Sequence, residues 1–245
     1  MKILKADDYQ TWFIEENNFS ILVDPWLDRK LNPNSSIFLQ REREDSSCLT
    51  DEDVKNVDAV IITAPFIDHL HFPSLNKLNK DIKIITTKRA KKNLNKRGFL
   101  NVTTCINNHP IEIGPFLLSP YPAGFPYTWS SFCFFLENKN KKTLYHESHI
   151  SNFSVLRKVN KKCDVALITI EPVKFIGLLT LSMSLKQALK AASLLETKKI
   201  MATGTSPQKL KGLIKKALLV KKNGTSKLKE GDPHIYYKKG DEVII

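Results

Sequence analysis

Residues 58–73 read Asp-Ala-Val-Ile-Ile-Thr-Ala-Pro-Phe-Ile-Asp-His-Leu-His-Phe-Pro. An apolar run, 59–63, has the composition of a strand buried on both faces. It passes directly into a turn carrying Asp68, His69 and His71. Carboxylate and imidazole delivered together by a strand end supply donors for a divalent ion. Three such side chains within four residues exceed what a merely polar turn requires.

The totals set bounds. A chain of 245 residues and 28.0 kDa is long enough for one large core. Hydrophobic residues make up 42%, and the mean hydropathy of −0.25 fits a globular protein in water. Asp7 and Asp8 make the N-terminal segment too polar for a signal peptide, and the apolar run at 175–181 is too short to span a bilayer. A cytoplasmic location without membrane insertion is expected. Cys48, Cys105, Cys133 and Cys163 form no C-x-x-C pair and read as free thiols. The net charge of +13 invites an anionic partner. The excess is carried by lysine, with only Arg29, Arg41, Arg43, Arg89, Arg97 and Arg157 as arginines, and arginine is the usual reader of bases and phosphates. A solvated lysine-rich surface ranks ahead of a nucleic-acid face.

Outward from residues 58–73, strands are expected at 1–6, 10–15 and 19–24, broken by Asp-Asp and Asn-Asn turns. Residues 28–50 read as a loop or lid. Thr50 and Asp53 resemble a capping box opening a short helix. Further strands are expected at 82–86, 102–106, 111–119, 132–136, 142–147, 165–170 and 199–203. Helices are expected at 73–78, 88–96, 152–159 and 184–196, the last with Leu185, Ala188, Leu189, Ala192 and Leu195 on one face. Ser206-Pro207 suggests the start of a basic amphipathic helix burying Leu210, Leu213, Ile214, Ala217 and Leu218. Residues 221–245 read as a basic tail with one strand candidate near 234–237. Strands followed by alternating strands and helices, twice over, suggest two sheets face to face with helices outside.

Four pieces in this order resemble the metallo-β-lactamase superfamily: Ile21-Leu-Val-Asp-Pro-Trp-Leu27, the Val60-Ile-Ile-Thr strand with Asp68-His69, Lys142-Thr-Leu-Tyr-His-Glu-Ser-His149, and Asp164-Val-Ala-Leu-Ile-Thr-Ile170 with the helix after it. The resemblance covers about residues 1–205 and implies a single α+β domain, an αββα four-layer sandwich over residues 1–245. Members of the superfamily carry His-x-His-x-Asp-His, and here Ala64 and Phe66 stand in the first two places. Gly124 follows Pro122-Ala123 where another histidine is customary, His149 stands at the bridging aspartate, and Thr203 near the final histidine. Asp68 and His69 alone keep their identity, so the two-metal centre is not built in the customary way. The chain also resembles a cyanobacterial and plant branch of the superfamily with Asp-His-x-His and Glu-x-His patterns.

A rewired centre is then expected from Asp68, His69, His71, Glu147 and His149. If the strand at 142–147 continues, Glu147 and His149 share a face. Asp24 is expected to orient a ligand histidine. The implied cofactor is one divalent ion, zinc first, with iron or manganese as alternatives. Asp68 or Glu147 would serve as general base in hydrolysis of an ester, amide or phosphoester of a small molecule. Each residue has a plainer reading too: Asp68 and His69 a structural turn, His71 an exposed residue, Glu147 and His149 a strand-end ion pair. The competing functions are a catalytically inactive binding module that has lost its metal, and a nucleic-acid-associated protein. The aromatic stretch Tyr121, Phe125, Tyr127, Trp129 suits either a pocket wall or packing under a loop.

Overall fold

The computed structural model describes residues 1–31, 40–204, 209–220 and 228–245. Two seven-stranded sheets dominate. The first comprises β1 (Lys2–Lys5), β2 (Trp12–Glu16), β3 (Phe19–Val23), β6 (Ala59–Ile62), β7 (Lys83–Thr86), β8 (Val102–Thr104) and β20 (Glu242–Ile244), in the order β20-β1-β2-β3-β6-β7-β8. The second comprises β9 (Ile111–Ile113), β10 (Phe116–Pro122), β11 (Phe132–Asn138), β12 (Thr143–His146), β13 (Val165–Thr169), β16 (Lys199–Thr203) and β19 (His234–Tyr236), in the order β19-β16-β13-β12-β11-β10-β9. Each sheet is antiparallel at one end and parallel at the other: β3, β6, β7 and β8 run parallel, as do β12, β13, β16 and β19.

Strand alternation builds the layers. In β6, Ala59 and Ile61 enter the core between the sheets, while Val60 and Ile62 enter the outer one. From the second sheet, Phe134, Leu136, Leu144, Leu167 and Met201 meet Trp12, Ile14, Ile21 and Val23 of the first. Parallel strands covered on both faces need this unbroken apolar composition. The outer face of the first sheet is covered by α1 (Asp51–Lys55), α2 (Phe72–Leu75) and α3 (Lys88–Asn95). That of the second is covered by α4 (Phe153–Val159) and α5 (Leu185–Leu194). Capping boxes open α1 at Thr50/Asp53 and α5 at Ser184/Gln187, satisfying amides that a helix start leaves unpaired. The result is the expected four-layer αββα sandwich.

Two small sheets flank one end. β4 (Lys30–Leu31) and β5 (Gln40–Glu42) pair with β17 (Lys209–Lys211), while β14 (Val173–Phe175), β15 (Leu179–Thr180) and β18 (Leu218–Val220) form the other. These correct the expected amphipathic helix over 206–218: β17 and β18 are separated by a 3-10 turn, Leu213–Ala217. Gly212 has φ +102°, which no helix accepts, and the flanking backbone is taken by pairing with β5 and β14. Ser206-Pro207 and the lysine-rich turn at 221–227 lie outside the described residues. The expected tail is partly structural, since residues 234–236 and 242–244 give each main sheet an edge strand.

Candidate metal centre

The carboxyl ends of β3, β6, β12 and β13 meet at one edge of the sandwich, where parallel strands leave a crevice. The sheets are joined there: Phe132 N–H donates to the Thr63 carbonyl at 3.2 Å, and Ser148 Oγ donates to Thr63 Oγ1 at 3.2 Å. Asp24 follows β3 with φ +45° and is fully buried. Its Oδ1 accepts from Thr63 N at 2.8 Å, and its Oδ2 from Thr63 Oγ1 at 2.6 Å and from His69 Nδ1 at 2.8 Å. A carboxylate has no proton to offer, so the His69 proton sits on Nδ1 and Nε2 is turned to the crevice.

His69 Nε2 meets His149 Nε2 at 2.8 Å, and Asp68 Oδ2 lies 3.7 Å from His149 Nε2. One carboxylate oxygen and two imidazole nitrogens thus converge within 4.8 Å. This donor set, with one imidazole oriented by a buried carboxylate, fits a divalent transition ion. Burial opposes charge on His69, but Asp24 and Asp68 outweigh it and raise its pKa. Burial lowers that of His149, partly offset by Asp68. Asp68 is only partly buried; His69, His149 and Arg41 outweigh the cost of desolvating it and hold it well below the usual carboxylate range.

The structure does not bring His71 and Glu147 to this point. His71 Nδ1 bonds Ser74 Oγ at 2.7 Å, its ring lies 6.4 Å from that of Trp26, and it lines a separate small cavity with Leu70, Phe72 and Arg97. Burial lowers its pKa to about 4. The strand does not continue through Glu147 and His149: β12 stops at His146, and His149 has φ +69°. The two side chains therefore diverge. Glu147 Oε1 accepts from Thr169 N at 2.6 Å and Thr169 Oγ1 at 2.5 Å, and Oε2 from Ser151 Oγ at 3.4 Å. Burial pushes its pKa up to about 8 despite these bonds. Thr169 Oγ1 also lies 3.0 Å from the His149 carbonyl, so Glu147 and Thr169 brace the loop that carries His149. Left-handed backbone at Asp24 and His149, neither of them glycine, is strain of the kind held in place at sites.

Three contributors carried no sequence motif. Tyr9 Oη donates to Asp68 Oδ2 at 3.0 Å. Arg41 reaches from β5 to within 3.6 Å of Asp68 Oδ2 and lies 5.0 Å from the Tyr9 ring. Arg43, two residues on, is fully buried against Asp7 at 2.6 Å and the Trp26 carbonyl. The alternation Arg41, Arg43 was the only sequence signal that residues 40–43 form an inward-facing strap. Tyr127, from the aromatic stretch, lines the crevice with Tyr9, Arg41, Asp68, His149 and Thr169; Val173, Leu181 and Leu218 close its apolar side. The space is about 80 Å³. Phe125 and Trp129 are exposed instead. His146 stacks on Phe134 in the core, and His109 bonds the Asn107 carbonyl in its turn.

Residues 20–204 match the model of the beta-lactamase superfamily domain, and the chain belongs to that family. Among solved structures it is similar to an isothiocyanate hydrolase from Delia radicum gut bacteria, with TM-score 0.72, 16% identity, and 100% and 99% of the two chains covered. A possible metal-dependent hydrolase from Veillonella parvula gives TM-score 0.66 at 19% identity over 82% of each chain. A metallo hydrolase from the hyperthermophilic archaeon Ignicoccus hospitalis gives 0.60 at 19%, covering 82% of this chain and 81% of the other. At these identities the likeness concerns the fold. No curated protein matches the sequence. No described helix is long and apolar enough to cross a membrane.

Proposed function

We propose that this protein is a metal-dependent hydrolase working with a single divalent ion, zinc by preference, held by Asp68, His69 and His149. The observation that carries the reading is the convergence of those three donors within 4.8 Å, with Asp24 fixing the His69 tautomer. When bound, such an ion would acidify a water and polarise the scissile bond of an ester, amide or phosphoester. The chain's own groups supply the rest. Tyr9 and Arg41 hold the Asp68 carboxylate in place. Glu147 acts on this reading as a positioning residue, through Thr169 on the His149 loop. Val173, Leu181 and Leu218 give an apolar substrate portion a dry wall.

A second reading, a metal-free binding module, draws on Arg41. Its guanidinium beside Asp68 already balances the carboxylate, and the two imidazoles already bond each other. Elemental analysis of protein purified without a metal-affinity column separates the two. The hydrolase reading expects about one ion per chain, lost in His69→Ala and His149→Ala. No ion in wild type, with both variants folded, would leave the binding module.

A further inference from the structure

The small sheet β14-β15-β18 has two unlike faces. Val173 and Leu218 line the crevice. The opposite face carries Lys174, paired across the sheet with Leu219 and Thr180. Its hairpin turns at Phe175-Ile176-Gly177-Leu178, closed by Leu178 N–H to the Phe175 carbonyl at 3.1 Å. Ile176 and Gly177 have φ +51° and +71°. Positive φ at both central residues is the pattern of a type I′ turn, where Asn-Gly is favoured. A β-branched residue there is a backbone outlier. Yet this isoleucine is 64% exposed, and Leu178 beside it is 87% exposed. Leu219, also exposed, adds to the apolar surface where β18 carries it beside Lys174.

Charge says what meets this surface. Residues 172–182 and 209–220 contain no acidic residue, and three lysines are exposed: Lys174 on β14, and Lys215 and Lys216 in the turn whose Ala217 carbonyl accepts from Ile176 N–H at 2.7 Å. Bare aliphatic side chains ringed by cations suit an anionic lipid interface, where the tip enters the acyl boundary and the lysines stay with the headgroups. An acidic soluble partner would meet the lysines but leave the tip unmatched. We propose that the Ile176–Leu178 hairpin, with Lys174, Lys215 and Lys216, docks this protein peripherally on anionic membranes. The mouth of the crevice then lies beside the bilayer, because one sheet serves both.

Sedimentation with phosphatidylcholine vesicles and with equimolar phosphatidylcholine–phosphatidylglycerol vesicles tests this on the full chain. Wild type is expected to pellet with the mixed vesicles only, less so at high salt. Lys215→Gln/Lys216→Gln should weaken partition about thirtyfold. Ile176→Asn/Leu178→Ser should weaken it about tenfold or more. Asn is the better turn residue at position 176, so this variant should melt no lower than wild type, which separates lost docking from lost fold. Absence of binding, or binding unchanged in both variants, overturns the proposal. So does a lipid-free dimer in sedimentation velocity that the tip variant converts to monomer, since the patch would then meet a second copy.

Discussion

Asp24→Asn probes the logic of the centre. The residue is fully buried and left-handed, and asparagine tolerates that backbone, so the substitution alters chemistry with little change of shape. Asp24 accepts three hydrogen bonds, from Thr63 N, Thr63 Oγ1 and His69 Nδ1. Asparagine has one acceptor. With its oxygen toward Thr63 N, its amide faces the hydroxyl and the imidazole. The Thr63 hydroxyl can rotate to accept, but His69 must then move its proton to Nε2, the atom that faces His149. Loss of charge-assisted bonds should cost about 1–3 kcal/mol of stability. The wrong tautomer should weaken metal binding about 10- to 100-fold, as removal of such supporting carboxylates typically does. Urea unfolding reads the first, and zinc competition titration of metal-stripped protein reads the second. A folded Asp24→Asn binding zinc within threefold of wild type would refute the reasoning, because tautomer control would then be irrelevant.

Other outcomes follow from burial. His146 has both ring nitrogens without a hydrogen-bond partner, and burial lowers its pKa to about 4, from 6.5 in an exposed imidazole. The unfolded chain therefore binds the extra proton, and the contribution to stability falls as pH drops from 6.5 toward 4. His146→Phe should stabilise the protein by about 1 kcal/mol at pH 7 and by more at pH 5, in urea titrations at the two pH values; an equal effect at both would exclude this account. Arg43→Ala takes the guanidinium from the buried Asp7 carboxylate, leaving it only its bonds from Tyr9 N, Thr11 N and Thr11 Oγ1, and should cost about 3 kcal/mol in the same assay, while a change below about 1 kcal/mol would show that the strap is not anchored there. Glu147→Ala removes the acceptor for Thr169 N–H and should lower stability by about 1–3 kcal/mol with a smaller effect on zinc affinity than His149→Ala. If the two variants lost zinc equally, Glu147 would be a ligand rather than a brace.

The four layers were legible because strand alternation is a local property: in 59–63 and 165–170, every residue is apolar or small enough to be buried from both sides. The turn with Asp68 and His69 could be read for the same reason, since a strand end delivers its loop to a known edge. Residues 206–218 could not be read so. Their lysine and leucine spacing fits a helix, but pairing with β5 and β14 claims the backbone, and those partners are distant in sequence. The centre was legible only in part. Asp24, Asp68, His69 and His149 stood out as chemistry-bearing residues, but their convergence depends on where two different sheets end. The separation of Glu147 from His149 turns on a left-handed residue just past the strand, which no two-residue periodicity reveals. Tyr9 and Arg41 reach Asp68 across 59 and 27 positions of chain, and such long-range closure is decided by packing of the whole fold rather than by any local pattern.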